Sequence, residues 1–167
     1  GWFERNLRIV NKNGKLSPLV LNPIQQILER WKCEQFEKGE PAFAIVLKAR
    51  QEGVSTWAEA TMFRDGCEME TRTSIVVAHN EASTRRIFEM ARRFLKYFPK
   101  KLETEKSSAR ALHLSDTQSE FIVQTAGAED SAGRGYTAQA LHVSELDYCP
   151  DPYALLAASM QPIPDVY

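Results

Sequence analysis

The sequence has few of the features that mark secreted and membrane proteins. It contains only three cysteines, an odd number without metal-ligand spacing, which argues against a disulfide framework and fits a reducing compartment. No apolar run is long enough to cross a bilayer, and the opening stretch GWFERNLRIV lacks the basic-then-apolar order of a secretory signal. We therefore expect a cytosolic protein with no membrane partner.

Net charge is also nearly absent. A formal charge of -1 at pH 7 gives no overall attraction to nucleic acid, so any such binding needs a local basic patch. By contrast, 43% of the residues are hydrophobic, which is enough to bury the core of one domain over residues 1–167.

Short apolar segments alternate with amphipathic ones along the chain. The predicted strands are 43–47, 74–78, 120–125 and 140–143, with a hairpin strand from Ala111; the predicted helices are 23–37, 55–70, 81–98 and 152–160. This order predicts an α/β domain with a mostly parallel sheet and helices on both faces. Ligands of such sheets bind at the carboxyl ends of the strands.

The segment KARQEGVST, residues 48–56, has the outline of a phosphate-binding loop. Against the template GxxxxGK[ST], Gly53 is the second glycine and Ser55 the metal-binding hydroxyl, but Val54 replaces the lysine. A helix after the loop would still aim backbone N–H groups at an anion, and Lys48 and Arg50 can supply the missing charge. The predicted nucleotide-binding residues are Lys48, Arg50, Gln51, Glu52, Gly53, Val54, Ser55 and Thr56.

A second polar group follows the last predicted strand, in the segment VSELDYCPD. Glu145 stands at the strand end, where a carboxylate can orient or deprotonate an attacking water, with Lys48 and Arg50 assisting catalysis by stabilising phosphate charge. Ser144 and Glu145 are predicted to hold a metal ion through water, and Ser55 directly. Upstream, Arg134 in SAGRGYT is a candidate arginine finger or sensor.

Two helices carry further candidates. Gln25, in the first of them, has an amide that pairs a donor with an acceptor, as contact with adenine requires. The helix over 81–98 has one apolar and one basic face. Arg85, Arg92 and Lys96 share the centre of the basic face and are candidate contacts for a DNA backbone.

Four segments, in this order, resemble the ATPase domain of the large terminase subunit of tailed bacteriophages, the motor that packages DNA into capsids. LNPIQQILERW is similar to the upstream adenine-binding motif, with Gln25 at its glutamine position. KARQEGVST resembles the deviant Walker A motif of these motors, with the lysine at the start of the loop. VSELDYCPD is similar to their Walker B motif, and GRGYT to the segment before it. Ser144 departs from the pattern, since many members carry aspartate there.

The resemblance implies a RecA-like P-loop fold of the ASCE type that hydrolyses ATP with Mg²⁺. It also implies double-stranded DNA, other terminase subunits in a ring, the capsid portal and the small terminase subunit as partners, in the cytoplasm of an infected bacterial host. We expect one ATPase domain, truncated at its C-terminal end and lacking the nuclease domain, with feeble activity as an isolated fragment.

Two alternatives stay open. One is the first motor domain of a helicase-like translocase, which ordinarily keeps a lysine at the position of Val54 and an Asp-Glu pair at the positions of Ser144 and Glu145. The other is a nucleotide-binding module without turnover, suggested by Val54 and Ser144 themselves.

Overall fold

The computed structural model describes residues 1–49, 52–104, 110–127, 137–149, 151–161 and 163. The helices are α1 (Trp2–Asn6), α2 (Pro23–Glu37), α3 (Val54–Glu68), α4 (Glu81–Lys96) and α5 (Pro152–Met160). The strands are β1 (Arg8–Val10), β2 (Leu16–Pro18), β3 (Thr73–Ala78), β4 (Ala111–Leu114), β5 (Ser119–Thr125) and β6 (Ala140–Ser144).

The main sheet has the strand order β4-β5-β3-β6. Strands β5, β3 and β6 run parallel, and β4 pairs antiparallel with β5 as a hairpin. The central strand β3 reads TSIVVA and is buried from Ser74 onward, as expected for a β-branched strand covered on both faces. The predicted mostly parallel sheet is confirmed.

Helices cover both faces of this sheet. On one face Met62 of α3 and Ile87 of α4 pack with Val76 of β3 in the largest core cluster. On the other face Leu155 of α5 packs with Ile75 of β3. Because successive residues of a strand point to opposite faces, β3 contributes to both layers. The α/β class with helices on both faces is confirmed.

Three helices begin at side-chain caps. Asn22 accepts a hydrogen bond from the Gln25 N–H, Asn80 from the Ser83 N–H, and Asp151 from the Ala154 N–H. Each cap satisfies one backbone donor that would otherwise lack a partner, so it fixes the residue at which the helix starts.

The strand predicted for residues 43–47 is wrong. This segment has no regular structure, and its side chains are exposed, with Leu47 fully accessible to solvent. Within the described part of the chain β6 pairs only with β3, and no strand pairs with 43–47. Apolar, β-branched composition indicates a fit to a pleated, half-buried surface, but a strand also needs a neighbour that supplies the hydrogen-bond ladder.

The N-terminal elements were not predicted. Helix α1 is too short to show a helical period, and β1 and β2 form a separate antiparallel pair of three residues each. Phe3, Leu7 and Leu19 pack with Phe63 of α3 and Phe94 of α4, so these elements cover the outer side of the two helices. Among the described helices, none has the length and apolar character needed to cross a membrane.

Candidate nucleotide-binding site

The start of α2 holds the predicted phosphate-binding loop from behind. Asn22 and Gln25 cap α2 reciprocally: each side chain accepts a hydrogen bond, 2.9 Å long, from the backbone N–H of the other. The same two amides also donate into the loop, Asn22 to the carbonyl of Glu52 (3.0 Å) and Gln25 to the carbonyl of Gly53 (2.7 Å). A capping motif of one helix thus fixes the entry to the next.

These bonds turn two backbone N–H groups of the loop away from α2. In a trans peptide unit the N–H points opposite to the C=O, so with the two carbonyls turned toward α2 the N–H groups of Gly53 and Val54 point away from it. N–H groups in the first turn of a helix have no partner within the helix, and α3 is 15 residues long, so its positive end adds to the effect.

Gly53 is required by this geometry. It caps α3 with a left-handed φ of 74°, which L side chains rarely adopt. A Cβ at this position would also lie 2.8 Å from Nε2 of Gln25 and would displace the amide that holds the loop.

Gln25 has a role in the structure that the sequence analysis missed. Its side chain is 4% exposed, and both ends of its amide bond to backbone atoms of Asn22 and Gly53. The structure places Gln25 behind the loop as a support. The contact with adenine stays a prediction.

A group of partly buried charges ties α2 to α3. Glu29 accepts hydrogen bonds from the indole of Trp57 (2.8 Å) and from the guanidinium of Arg64 (2.5 Å), and Lys32 pairs with Asp65 at 2.6 Å. Burial alone would lower the pKa of Arg64, but the hydrogen bond and charge of Glu29 raise it overall. This network sets the position of the capping pair relative to α3.

The two predicted halves of the site meet at a pair of hydroxyls. Oγ of Ser55, in the first turn of α3, lies 3.4 Å from Oγ of Ser144, the last residue of β6. Ser144 is 7% exposed, whereas Ser55 is partly exposed. The helix after the loop and the acidic strand end therefore converge at one point.

Glu145 follows immediately, with an unusual backbone. Its φ and ψ are 58° and 51°, a left-handed conformation that costs a non-glycine residue free energy and clusters at functional sites. Its side chain is half exposed at the sheet edge. Asp147, the alternative acid, lies exposed in the single-turn 3-10 helix Leu146–Tyr148, beyond the strand.

His79 contacts Glu145 and was not predicted. It follows β3 as Glu145 follows β6, and its Nδ1 lies 3.1 Å from Oε2 of Glu145. Its ring also lies 5.6 Å from the ring of Tyr148, measured between centroids. The available signal was positional: His79 and Glu145 both follow the carboxyl ends of predicted parallel strands.

A buried glutamate and a partly buried histidine lie beneath the site. Ser55, Glu59 and Met62 share one face of α3. On β6, Ser144 contacts Ser55, and Ala140 packs in the same cluster as Met62. Alternate residues of a strand face the same side, so His142, which lies between Ala140 and Ser144, faces the same layer as Glu59. Neither carboxyl oxygen of Glu59 nor Nδ1 of His142 has a hydrogen-bond partner among the described residues.

Burial perturbs both groups. The pKa of Glu59, a residue with no exposed surface, is raised well above its usual range because burial disfavours the charged form. Burial and then the positive charge of Lys48 lower the pKa of His142 to about 4.

The remaining predicted site residues differ in their placement. Lys48 is exposed beside the loop, and Glu52 and Thr56 are partly buried. Val54 is 7% exposed, so the position that usually carries lysine is buried in this chain. Arg50, Gln51 and Arg134 lie outside the described residues.

The described residues contain no cluster of three or more His, Cys, Asp or Glu side chains that would bind a metal alone. Mg²⁺ in nucleotide sites is usually held by a few protein oxygens together with substrate phosphates, so the hydroxyl pair fits this ion.

The basic face of α4 is accessible. Arg85, Arg92 and Lys96 are exposed, while Ile87 and Phe94 on the opposite face are buried. The predicted division of this helix into a core face and a basic face is therefore present in the structure.

The fold is similar to that of a solved structure. A crystal structure of the HK97 bacteriophage large terminase superposes with a TM-score of 0.67 over 85% of this chain, at 15% sequence identity. The chain has a terminase-like fold over the part that superposes. It spans 29% of the length of that terminase chain. No protein-family model matches the sequence, and no curated protein matches it either.

Proposed function

We propose that this chain is the ATP-hydrolysing motor domain of a terminase large subunit, which powers the translocation of double-stranded viral DNA into a capsid. The observation that carries the proposal is the contact between Ser55 and Ser144, 3.4 Å apart. It joins a loop with outward-facing N–H groups to a strand end that carries a carboxylate. The terminase-like fold supports the same conclusion.

The loop would bind the phosphates of ATP. The N–H groups of Gly53 and Val54, with the positive end of α3 behind them, suit an anion. Lys48 and Arg50 would add the charge that Val54 cannot supply, and Thr56 would complete the cradle. Phosphoryl transfer depends mainly on positioning and electrostatic stabilisation, so these roles account for much of the catalysis expected from the chain.

The strand end would activate water. Glu145 is half exposed and lies beside His79, and its carboxylate would accept a proton from the attacking water. Oγ of Ser55 would coordinate Mg²⁺ directly, and Ser144 and Glu145 would hold it through water. The ion would neutralise charge that develops on the phosphate oxygens.

The proposal extends to partners. The basic face of α4 would contact the DNA backbone, and neighbouring subunits of a ring would complete the site, with Arg134 a candidate for insertion across a subunit contact. An arginine supplied in this way raises phosphoryl-transfer rates by ~10³–10⁵ in related systems. The portal and the small terminase subunit are proposed as further partners, and the infected bacterial cytoplasm as the location.

Titration with a fluorescent ATP analogue, with and without Mg²⁺, followed by a single-turnover assay of phosphate release, tests the proposal. We expect Mg²⁺-dependent binding and slow hydrolysis. Ser55→Ala should weaken the Mg²⁺-dependent part of the binding, whereas Ser17→Ala, which removes a hydroxyl on β2, should not.

The outcomes separate the alternatives. Binding without hydrolysis at any protein concentration would favour the nucleotide-binding module, and absence of binding would overturn the nucleotide site. Fast, concentration-independent hydrolysis would contradict the expected dependence on neighbouring subunits and favour the helicase-like alternative.

A further inference from the structure

The contact between His79 and Glu145 follows from the strand register. Ala78 pairs with Ser144 at the parallel ends of β3 and β6, so the next residue of each strand lies beside the other. Nδ1 of His79 is buried and lies 3.1 Å from Oε2 of Glu145, yet the two atoms are not aligned as a hydrogen bond. A rotation of either side chain that aligns the N–H with the carboxylate oxygen would complete the bond.

The other ring nitrogen of His79 identifies the tautomer. Oδ1 of Asn80 accepts the Ser83 N–H (2.8 Å), so the amide nitrogen of Asn80 is the atom turned toward Nε2 of His79, at 2.5 Å. An amide nitrogen only donates, which leaves Nε2 as the acceptor. In neutral imidazole the proton is then on Nδ1, directed at the carboxylate of Glu145.

We propose that His79 is a positioning residue for Glu145, and that Asn80, the cap of α4, fixes the tautomer in which Nδ1 donates to the carboxylate. The donated hydrogen bond would hold one carboxylate oxygen and leave the other to face the attacking water. The role of Glu145 in this inference rests on the proposed function.

The arrangement also connects the site to the basic helix. Asn80 bonds to α4 through one end of its amide and to His79 through the other. Thr84 of α4 is tied to the same place, because its hydroxyl donates to the Asn80 carbonyl (3.1 Å) and contacts the hydroxyl of Thr125 (2.8 Å). The start of α4 is therefore linked to Glu145 through the side chains of Asn80 and His79.

The first test measures the tautomer and needs no activity. Long-range ¹H–¹⁵N correlation spectra of the 167-residue chain at about pH 8 would report which nitrogen of each of the three histidines carries the proton. His79→Asn identifies the His79 signals by their loss. We expect protonation at Nδ1, and a proton on Nε2 would overturn the inference.

Asn80→Ser refines the same test. Serine preserves the cap of α4 but removes the donor to Nε2, so the thermal stability should hold while the preference for Nδ1 weakens. An unchanged tautomer in this variant would show that Asn80 does not set it.

The second test uses single-turnover hydrolysis and nucleotide affinity. His79→Ala should lower the rate roughly 10- to 100-fold, as when other orienting side chains are lost, with little change in affinity. His79→Asn should recover part of the rate, because its amide nitrogen lies near the position of Nδ1. His79→Gln, whose amide reaches further, serves as the matched control and should not.

A double-mutant cycle separates this inference from the proposed function. In a Glu145→Gln background, His79→Ala should cost little more, because it acts through the carboxylate. An equal loss in both backgrounds would contradict the positioning role. If Glu145→Gln itself had no effect, the proposed function of Glu145 would be wrong, while the tautomer measurement would still decide the geometry.

Discussion

Replacing Glu59 with leucine should stabilise the protein. Glu59 has no exposed surface, and neither of its carboxyl oxygens has a partner in the described part of the chain. A buried polar group without a hydrogen bond costs about 1–3 kcal/mol, and leucine fills a similar space without that cost. At about pH 7 we expect a gain of this size, or roughly 2–4 °C in Tm for each kcal/mol in a chain of this length.

The gain should depend on pH with a definite sign. Burial raises the pKa of Glu59, so the folded chain holds this proton more tightly than the unfolded chain. The contribution of this proton to the free energy of unfolding is fully present below the unfolded pKa of about 4.3. It is lost as pH rises through the folded pKa, at up to about 1.4 kcal/mol per pH unit. The advantage of Glu59→Leu should therefore be small near pH 4 and grow as pH rises.

His142 acts in the opposite direction. Its pKa is lowered to about 4 in the folded chain, so stability is lost as pH falls from about 6.5 toward that value. The two slopes oppose each other in the parent, and Glu59→Leu should reveal the rise due to His142 alone.

Urea denaturation between about pH 4 and pH 8 measures these slopes. Met62→Leu, at the next sheet-facing position of α3, is the control and should shift stability without changing its pH dependence. A loss of stability in Glu59→Leu, or a pH dependence equal to that of the parent, would show that the carboxyl has a bonding partner in solution and refute the reasoning.

Three further experiments test separate parts of the structure. Lys48→Ala should severely weaken nucleotide affinity or turnover, whereas Val54→Lys should improve neither because Val54 is buried. Kinetics equal to those of the parent in Lys48→Ala would contradict the idea that Lys48 replaces the usual lysine of the loop. Neutralising Arg85, Arg92 and Lys96 together should weaken the salt-dependent binding of duplex DNA, measured by fluorescence anisotropy, and unchanged affinity would exclude this face from the DNA path. Glu29→Ala leaves the partly buried Arg64 without its main partner and should lower the free energy of unfolding, measured by urea denaturation, by about 3 kcal/mol. Glu34→Ala, which changes an exposed residue of the same helix, should lower it little.

Most elements of the domain were predictable because each carries its own local signal. Helix α2 spans its predicted residues, Pro23–Glu37, because Asn22 caps it and Pro23 suits its first position. Strand β3 was recognisable from its β-branched run. The strand over 43–47 had the same kind of signal and did not form, because pairing depends on a neighbour that local composition does not specify.

The site was predictable in outline and less so in its contacts. Gly53, Ser55, Ser144 and Glu145 were recognisable from their positions at strand and helix ends. The role of Gln25 behind the loop was missed because it depends on the carbonyl of Gly53, 28 residues away. His79 follows a predicted strand, but its contact with Glu145 depends on the strand register, and the burial of Glu59 depends on how α3 packs on the sheet.

The most direct test of the proposed function compares Glu145→Gln with Asp147→Asn. Both variants remove one carboxylate with little change in size, and the two acids lie two residues apart, one at the end of β6 and the other in the following turn. Single-turnover hydrolysis and affinity for ATP with Mg²⁺ would be measured for each. We predict that Glu145→Gln still binds ATP while hydrolysis falls by roughly 10²–10⁴, as for other general bases, and that Asp147→Asn loses far less. A larger rate loss in Asp147→Asn than in Glu145→Gln would contradict the assignment of Glu145 as the residue that activates water.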